Sequence, residues 1–214
     1  PRVVRLVSGV SASLALLRAA VRARADTVLV HHGWFWRGED PCLVGPRRER
    51  LAFALAHRLN VFAYHLPLDA HPEVGNNAHL RVALDWPMTR RFGEQDLGCG
   101  HDLPSPVSVG DVVRRVGAVL GREPLVLGPT LQRVRRIAWC TGAAQDLIEE
   151  AARDGAQVFI SGEASERTTH LARELGVTYL AAGHHATERY GVQALAEHLA
   201  AEFGIEHRFI DDPN

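Results

Sequence analysis

The sequence predicts an α/β fold: two intertwined β-α-β repeats related by a pseudo-twofold, with largely parallel or mixed sheets flanked by helices. Three observations lead there. Short runs rich in Val, Ile and Leu alternate with longer stretches of helical period, the pattern of βαβ units. The alternation occurs twice along the chain. The two occurrences align without a gap from Arg5–His32 onto Arg136–Glu163.

The elements follow in order. In the first copy VVRLVSGV reads as a strand, SLALLRAAVRA as a helix, TVLVHH as a strand, RERLAFALAHRL as a helix and VFAYH as a strand. The second copy runs RIAWCTG, AAQDLIEEAARDG, AQVFISGE, THLARELG and VTYLAAG, then a helix YGVQALAEHLAAEFG and a strand HRFI. The alignment sets Leu16 on Leu147, Leu17 on Ile148, Ala20 on Ala151, Ala25 on Ala156 and Leu29 on Ile160. A second match, residues 55–61 on 171–177, is displaced by 15 residues from the first, which makes the region around 33–49 an insertion. Residues 85–110 are rich in Gly and Pro and are expected to form a long connection. The helix DVVRRVGAVLG and the strand PLVLG follow it. The expected division is residues 1–110 and 111–214, one repeat each, with a site shared between them.

Composition narrows the function classes. With 24 basic and 25 acidic residues and no basic block, nucleic acid is not the expected primary partner. No apolar run reaches the length of a membrane span, and RVVRLVSGV is too short and too strand-like for a signal peptide. The chain opens abruptly on a strand, so a preceding segment is expected in the natural protein. Cys42, Cys99 and Cys140 form no CxxC pair, which fits a reduced, cytoplasmic protein. The 12 histidines are about twice ordinary usage, and some are expected to do chemistry.

The repeat shows which ones. It maps His31 and His32, at the end of the second strand of copy one, onto Gly162 and Glu163 in copy two. The third strands also end in polar clusters: His65, Asp69 and His71 in copy one, His184, His185 and Glu188 in copy two. Ligands of open α/β sheets bind beyond the carboxyl ends of strands. His31, His32, Asp69, His184 and Glu188 are therefore the candidate metal ligands, with Glu163 and His65 close by. Mixed imidazole and carboxylate ligation suits Zn, Mn, Fe or Co. Five ligands exceed the needs of one tetrahedral ion, so two divalent metal ions per subunit are expected. His184 and Glu188 are four apart, on one helical face if the turn has begun.

The segments VLVHHGWFWRGED, YHLPLDAHPEVGNNAHL, SGEASERTTHLARELGV and AAGHHATERYGVQALAEHL resemble those of the GTP cyclohydrolase 1 type 2 homologue family, the NIF-three-like dinuclear-metal proteins, in their short bacterial form. The resemblance covers residues 3–210, with GHHATE and HHG its most specific parts. It implies metal ligation by the same five residues, His31, His32, Asp69, His184 and Glu188. It also implies a ring-shaped hexamer with metal sites facing an internal cavity. The chain lacks the family's N-terminal helix and NGLQ-like stretch, carries Leu66 where many members have Thr, and lacks the large inserted domain of longer members.

A two-metal site activates water against a carbon or phosphorus centre, so a metal-dependent hydrolase acting on a nucleotide-like or cyclic amide small molecule is the expected function. Glu163 and His65 are the expected catalytic proton carriers; Glu163 serves equally well as a group that fixes a histidine tautomer. The family label points to GTP, yet the chain has no GxxxxGK[ST] loop and no motif that identifies guanine. The alternative is a non-enzymatic metal-binding or regulatory hexamer. Trp34, Phe35 and Trp36, inside the insertion, read as a stacking wall for a planar substrate or, slightly favoured, as interface or lid packing. Asn76 and Asn77 after Gly75 are expected to build a turn and helix cap. His57, His79, His198 and His207 are expected to pack or face solvent, and His101 to sit in a loop.

Overall fold

The computed structural model describes residues 2–213 and, at Glu94, the backbone alone. In chain order the elements are β1 (Arg5–Ser11), α1 (Leu14–Arg22), β2 (Thr27–His32), α2 (Gly45–Ala56), β3 (Asn60–Ala63), α3 (Leu66–Ala70), α4 (Asn76–Leu84), β4 (Arg90–Phe92), β5 (Gly98–Ser108), α5 (Val109–Leu120), β6 (Leu125–Leu127), β7 (Arg133–Trp139), α6 (Ile148–Arg153), β8 (Val158–Ser161), α7 (Glu166–Glu174), β9 (Thr178–Ala181), α8 (His184–Phe203) and β10 (Glu206–Phe209). The α/β class is as expected. No described helix is long and apolar enough to cross a membrane.

The chain forms two compact units, residues 1–68 with 189–214 and residues 69–188. The first holds a four-stranded parallel sheet in the order β10-β1-β2-β3. Its central strands are buried on both faces, which is why they read as continuous apolar runs without alternation. Ser13 caps α1 by accepting the Leu16 N–H at 3.0 Å. That helix lays Leu16, Leu17 and Ala20 on Val7, Val28 and Val30, while Leu6 and Leu29 on the other face meet Leu195, Ala196 and Leu199.

The second unit holds a six-stranded mixed sheet in the order β4-β5-β7-β8-β9-β6. Strands β7, β8 and β9 are parallel; β5 and β6 flank them antiparallel. Phe159 and Tyr179 stack edge to face at 5.7 Å in its core, beside Ile148 and Ala172. A capping box between Ser108 and Asp111 starts α5, and Gly121 in the left-handed region ends it.

The duplication appears in strand pairing. Leu6 pairs with Thr27 as Ile137 pairs with Val158, both displaced by 131 residues. Thr27 then pairs with Asn60 as Val158 pairs with Thr178, so the third strand is displaced by 118. The insertion is 13 residues, two fewer than the sequence match of 55–61 on 171–177 implied. Hydrogen bonding agrees: the Leu59 N–H donates to the Ala54 carbonyl as Val177 does to Ala172, with Arg58 and Gly176 both at positive φ. A shift of two keeps every side chain on its own face, so the apolar pattern could not expose it.

Residues 85–110 are not a plain connection. They contain β4 and the 11-residue β5, paired antiparallel, and β5 runs along β7. Residues 69–110 accordingly belong with the second unit, so the units do not divide at residue 110. The glycines that suggested a loop serve the pairing. A Cβ at Gly98 would lie 2.5 Å from the Phe92 ring, and one at Gly100 would lie 2.6 Å from Arg90. Pro104 and Pro106 fall where the register shifts between Asp102 and Val107.

Candidate metal centre

In the first unit β2 delivers two histidines at its carboxyl end. His31 is fully buried and His32 half-buried, their ring centroids 4.7 Å apart. His65, just beyond β3, adds a third ring at 4.8 Å from His31 and 5.4 Å from His32. The three offer ligand atoms within 4.8 Å of one another. His31 Nδ1 lies 2.8 Å from the Tyr64 carbonyl, an acceptor that assigns the proton to Nδ1 and the ligating lone pair to Nε2. Ser11 Oγ holds His32 Nδ1 at 3.0 Å.

The aromatic triplet divides its roles. Trp34 packs into the core and donates its indole N–H to the Ala12 carbonyl at 2.9 Å. Phe35 turns to solvent at positive φ. Trp36 stands edge-on to His65 at 4.7 Å and 6.2 Å from His32, walling the histidine cluster.

In the second unit α8 begins at His184, so His184 and Glu188 share a helical face as their spacing predicts. His184 Nε2 lies 2.9 Å from Glu188 Oε2, and its Nδ1 lies 2.6 Å from Glu163 Oε1. Asp69 is buried, and it and Glu188 offer ligand atoms within 4.8 Å of each other. Asn76 Nδ2 donates to Asp69 Oδ1 at 2.8 Å. Asn77 accepts the Thr141 N–H at 3.0 Å. Gly75 occupies the cap position of α4, so the two asparagines do not cap it; they are buried, and Asn76 aims the carboxylate. Replacing Asn76 by Ala is expected to weaken metal binding about tenfold or more, because a supporting partner of a ligand is lost. Competition with a coloured chelator measures it, and unchanged affinity would show that Asp69 needs no such support.

Two glycines make room for these groups. A Cβ on Gly142, at φ +73, would sit 1.9 Å from Glu188 Oε1. One on Gly162 would sit 2.6 Å from the His184 α-carbon and 2.7 Å from the Gly142 carbonyl. Copy two therefore has glycine where copy one has His31, because the loop carrying His184 occupies that space. Thr187, fully buried, anchors the same turn: its hydroxyl accepts the Gly142 N–H at 3.0 Å and donates to Gly183. Thr187, Asn76 and Thr141 escaped sequence reasoning as parts of the site because single polar residues on helices and loops carry no periodic signal.

The carboxylates of Glu188 first, then of Glu163, push His184 up to about 9 against the opposing effect of burial. In the metal-free protein the imidazolium thus contributes stability that is full below its ordinary pKa of 6.5 and lost as pH rises through about 9. Melting curves of chelator-treated protein should show wild type losing its advantage over His184→Gln between these pH values. A constant difference would mean that His184 does not gain its proton there. Cys99 is buried and its thiol is pushed up to about 11; burial raises Cys140 still further, so neither serves as a nucleophile at neutral pH. His101 is buried on β5, not in a loop, and joins no ligand group among the described residues.

The chain matches the family described as Duf34/NIF3 (NGG1p interacting factor 3) over residues 2–214. It is 51% identical to a Pseudomonas aeruginosa protein named "GTP cyclohydrolase 1 type 2 homolog", over 100% of this chain and 86% of that one. A protein of the same name from Escherichia coli K12 is 49% identical over 99% of this chain and 85% of its own. Among solved structures, protein ybgI, titled as of unknown function, superposes with a TM-score of 0.93 at 47% identity, covering 100% of this chain and 86% of that one. TTHA1606 from Thermus thermophilus gives 0.88 at 34% identity, covering 100% and 85%.

Proposed function

The chain belongs to the Duf34/NIF3 family, and from that premise we propose that it is a metal-dependent hydrolase using two divalent ions per chain. His31, His32, Asp69, His184 and Glu188 are the proposed ligands. The observation that carries the reading is the donor chemistry. Imidazoles and buried carboxylates are grouped within ligand distance at strand ends, and the donors are held from behind by polar partners: Tyr64, Ser11, Asn76 and Glu163. Such a set fits Zn, Mn, Fe or Co better than Mg or Ca.

Bound divalent ions would supply Lewis-acid activation of water and of the scissile group. The chain's own residues do the rest. Glu163, half-exposed and bonded to His184, holds that ring in one orientation and accepts or returns a proton at its carboxylate. His65, next to the paired histidines and shielded by Trp36, is positioned to move a second proton. Trp36 excludes water from one side of the cluster. The substrate proposed is a small cyclic amide or nucleotide-like molecule; the relatives' name does not extend to GTP as substrate here.

Metal quantification on protein purified without chelators tests the reading. About two ions per chain are expected; fewer than one, with none regained on incubation, would overturn it.

A hexamer, which the family resemblance implies, is proposed as the assembled form. Supporting it, the first unit carries an apolar cleft of about 420 Å³ walled by Leu6, Leu29, Phe62, Tyr64, Leu199 and Phe203. Phe203 is 69% exposed, a large apolar surface for a single chain to leave in water. Light scattering should give several times the 23.5 kDa chain mass, and Phe203→Asp should reduce it. A wild-type mass of one chain would sink the idea.

A further inference from the structure

Beside the GHH turn the second unit has an open cleft of about 490 Å³, lined by Arg122, Glu123, Leu125, Gly162, Glu163 and Ala181. We infer that this cleft binds the non-reacting part of the substrate, which carries an anionic oxygen group for Arg122 and an amide N–H for Glu163. The inference rests on the hydrolase reading above and narrows its substrate class to anionic amides.

Geometry supports it. The Arg122 guanidinium lies directly over Gly183, the residue before His184: a Cβ there would be 2.4 Å from Nη1 and 3.0 Å from Cζ. Gly183, at φ +100, therefore lets a cation approach the turn that carries a proposed ligand. Among the described residues Arg122 makes no ion pair or side-chain hydrogen bond, although Glu163 and Glu123 line the same cleft. Glu163 is instead committed to His184 at 2.6 Å. The planar fork of Arg122 is thus left to grip a carboxylate or phosphate through two parallel N–H bonds. The two carboxylates in the wall discourage a bare anion and favour one that also brings N–H donors. Glu163 then touches both the anchored amide and His184, which places the amide carbon at the edge of the proposed metal centre.

Binding of three probes to the full-length protein, measured by ligand-observed NMR, tests this without an activity assay. The probes are N-acetylglycine, inorganic phosphate, and N-acetylglycinamide, which keeps the amide but lacks the anion. N-acetylglycine should bind at least about tenfold more tightly than N-acetylglycinamide, and Arg122→Gln should abolish that difference, with Arg122→Lys restoring part of it. Tighter binding of phosphate than of N-acetylglycine would assign the anionic group as a phosphate, and the reverse order as a carboxylate. In Glu188→Gln, where metal is depleted, the Arg122-dependent preference should persist. Anion binding lost in Glu188→Gln yet unchanged in Arg122→Gln would place the anion on the metal and overturn the inference, leaving the hydrolase reading intact. A metal content below one ion per chain with the Arg122 preference retained would do the opposite.

Discussion

Glu188→Gln is expected to leave the protein folded and strip it of metal, with affinity falling at least about tenfold. Glu188 is 3% exposed and its oxygens face both His184 and the space above Gly142. The amide keeps the size of the side chain and loses the charge that divalent ions require. Measurement of metal content alongside turnover then separates two functions. A hydrolase loses turnover even when metal is restored in excess, because the geometry of the remaining donors changes. A storage or regulatory protein has no turnover to lose and regains its signal with metal. Full metal content in Glu188→Gln would remove Glu188 from the ligand set altogether.

Gly162→Ala is expected to cost about 3 kcal/mol, lowering the melting temperature by roughly 6–12 °C. All three atoms that a new Cβ would meet, the α-carbon and N of His184 and the Gly142 carbonyl, are backbone at 2.6–2.8 Å. No side chain can swing aside, so the turn carrying His184 must move. Metal affinity should fall with stability for that reason. Gly204→Ala is the control: it has positive φ, but nothing lies within 4 Å, so only the backbone penalty of about 1 kcal/mol applies. Equal losses in the two variants, or a metal affinity in Gly162→Ala indistinguishable from wild type, would show that close packing at this turn is unimportant.

Much of the fold was legible because its signals are local. A parallel strand buried on both faces reads as a Val- and Ile-rich run whatever surrounds it. The 28-residue alignment located β1–α1–β2 and β7–α6–β8 in the register the strand pairs adopt. The stretch 85–110 failed because glycine and proline announce turns in a single chain segment. Here they serve the close crossing of Phe92 and Arg90 over β5 and an irregular register, which depend on partners elsewhere in the sequence.

The polar groups divide in the same way. The sequence alone determined that histidines and carboxylates end successive strands, and that His184 and Glu188 share a helix face. Only the tertiary structure decided what stands behind them. Asn76, read as a cap, instead holds Asp69; Glu163 binds His184; Trp34 is a core anchor while Trp36 walls the histidines. Donor identity is written residue by residue. Donor orientation is set by hydrogen bonds between residues 7 to 33 positions apart, which no local pattern encodes.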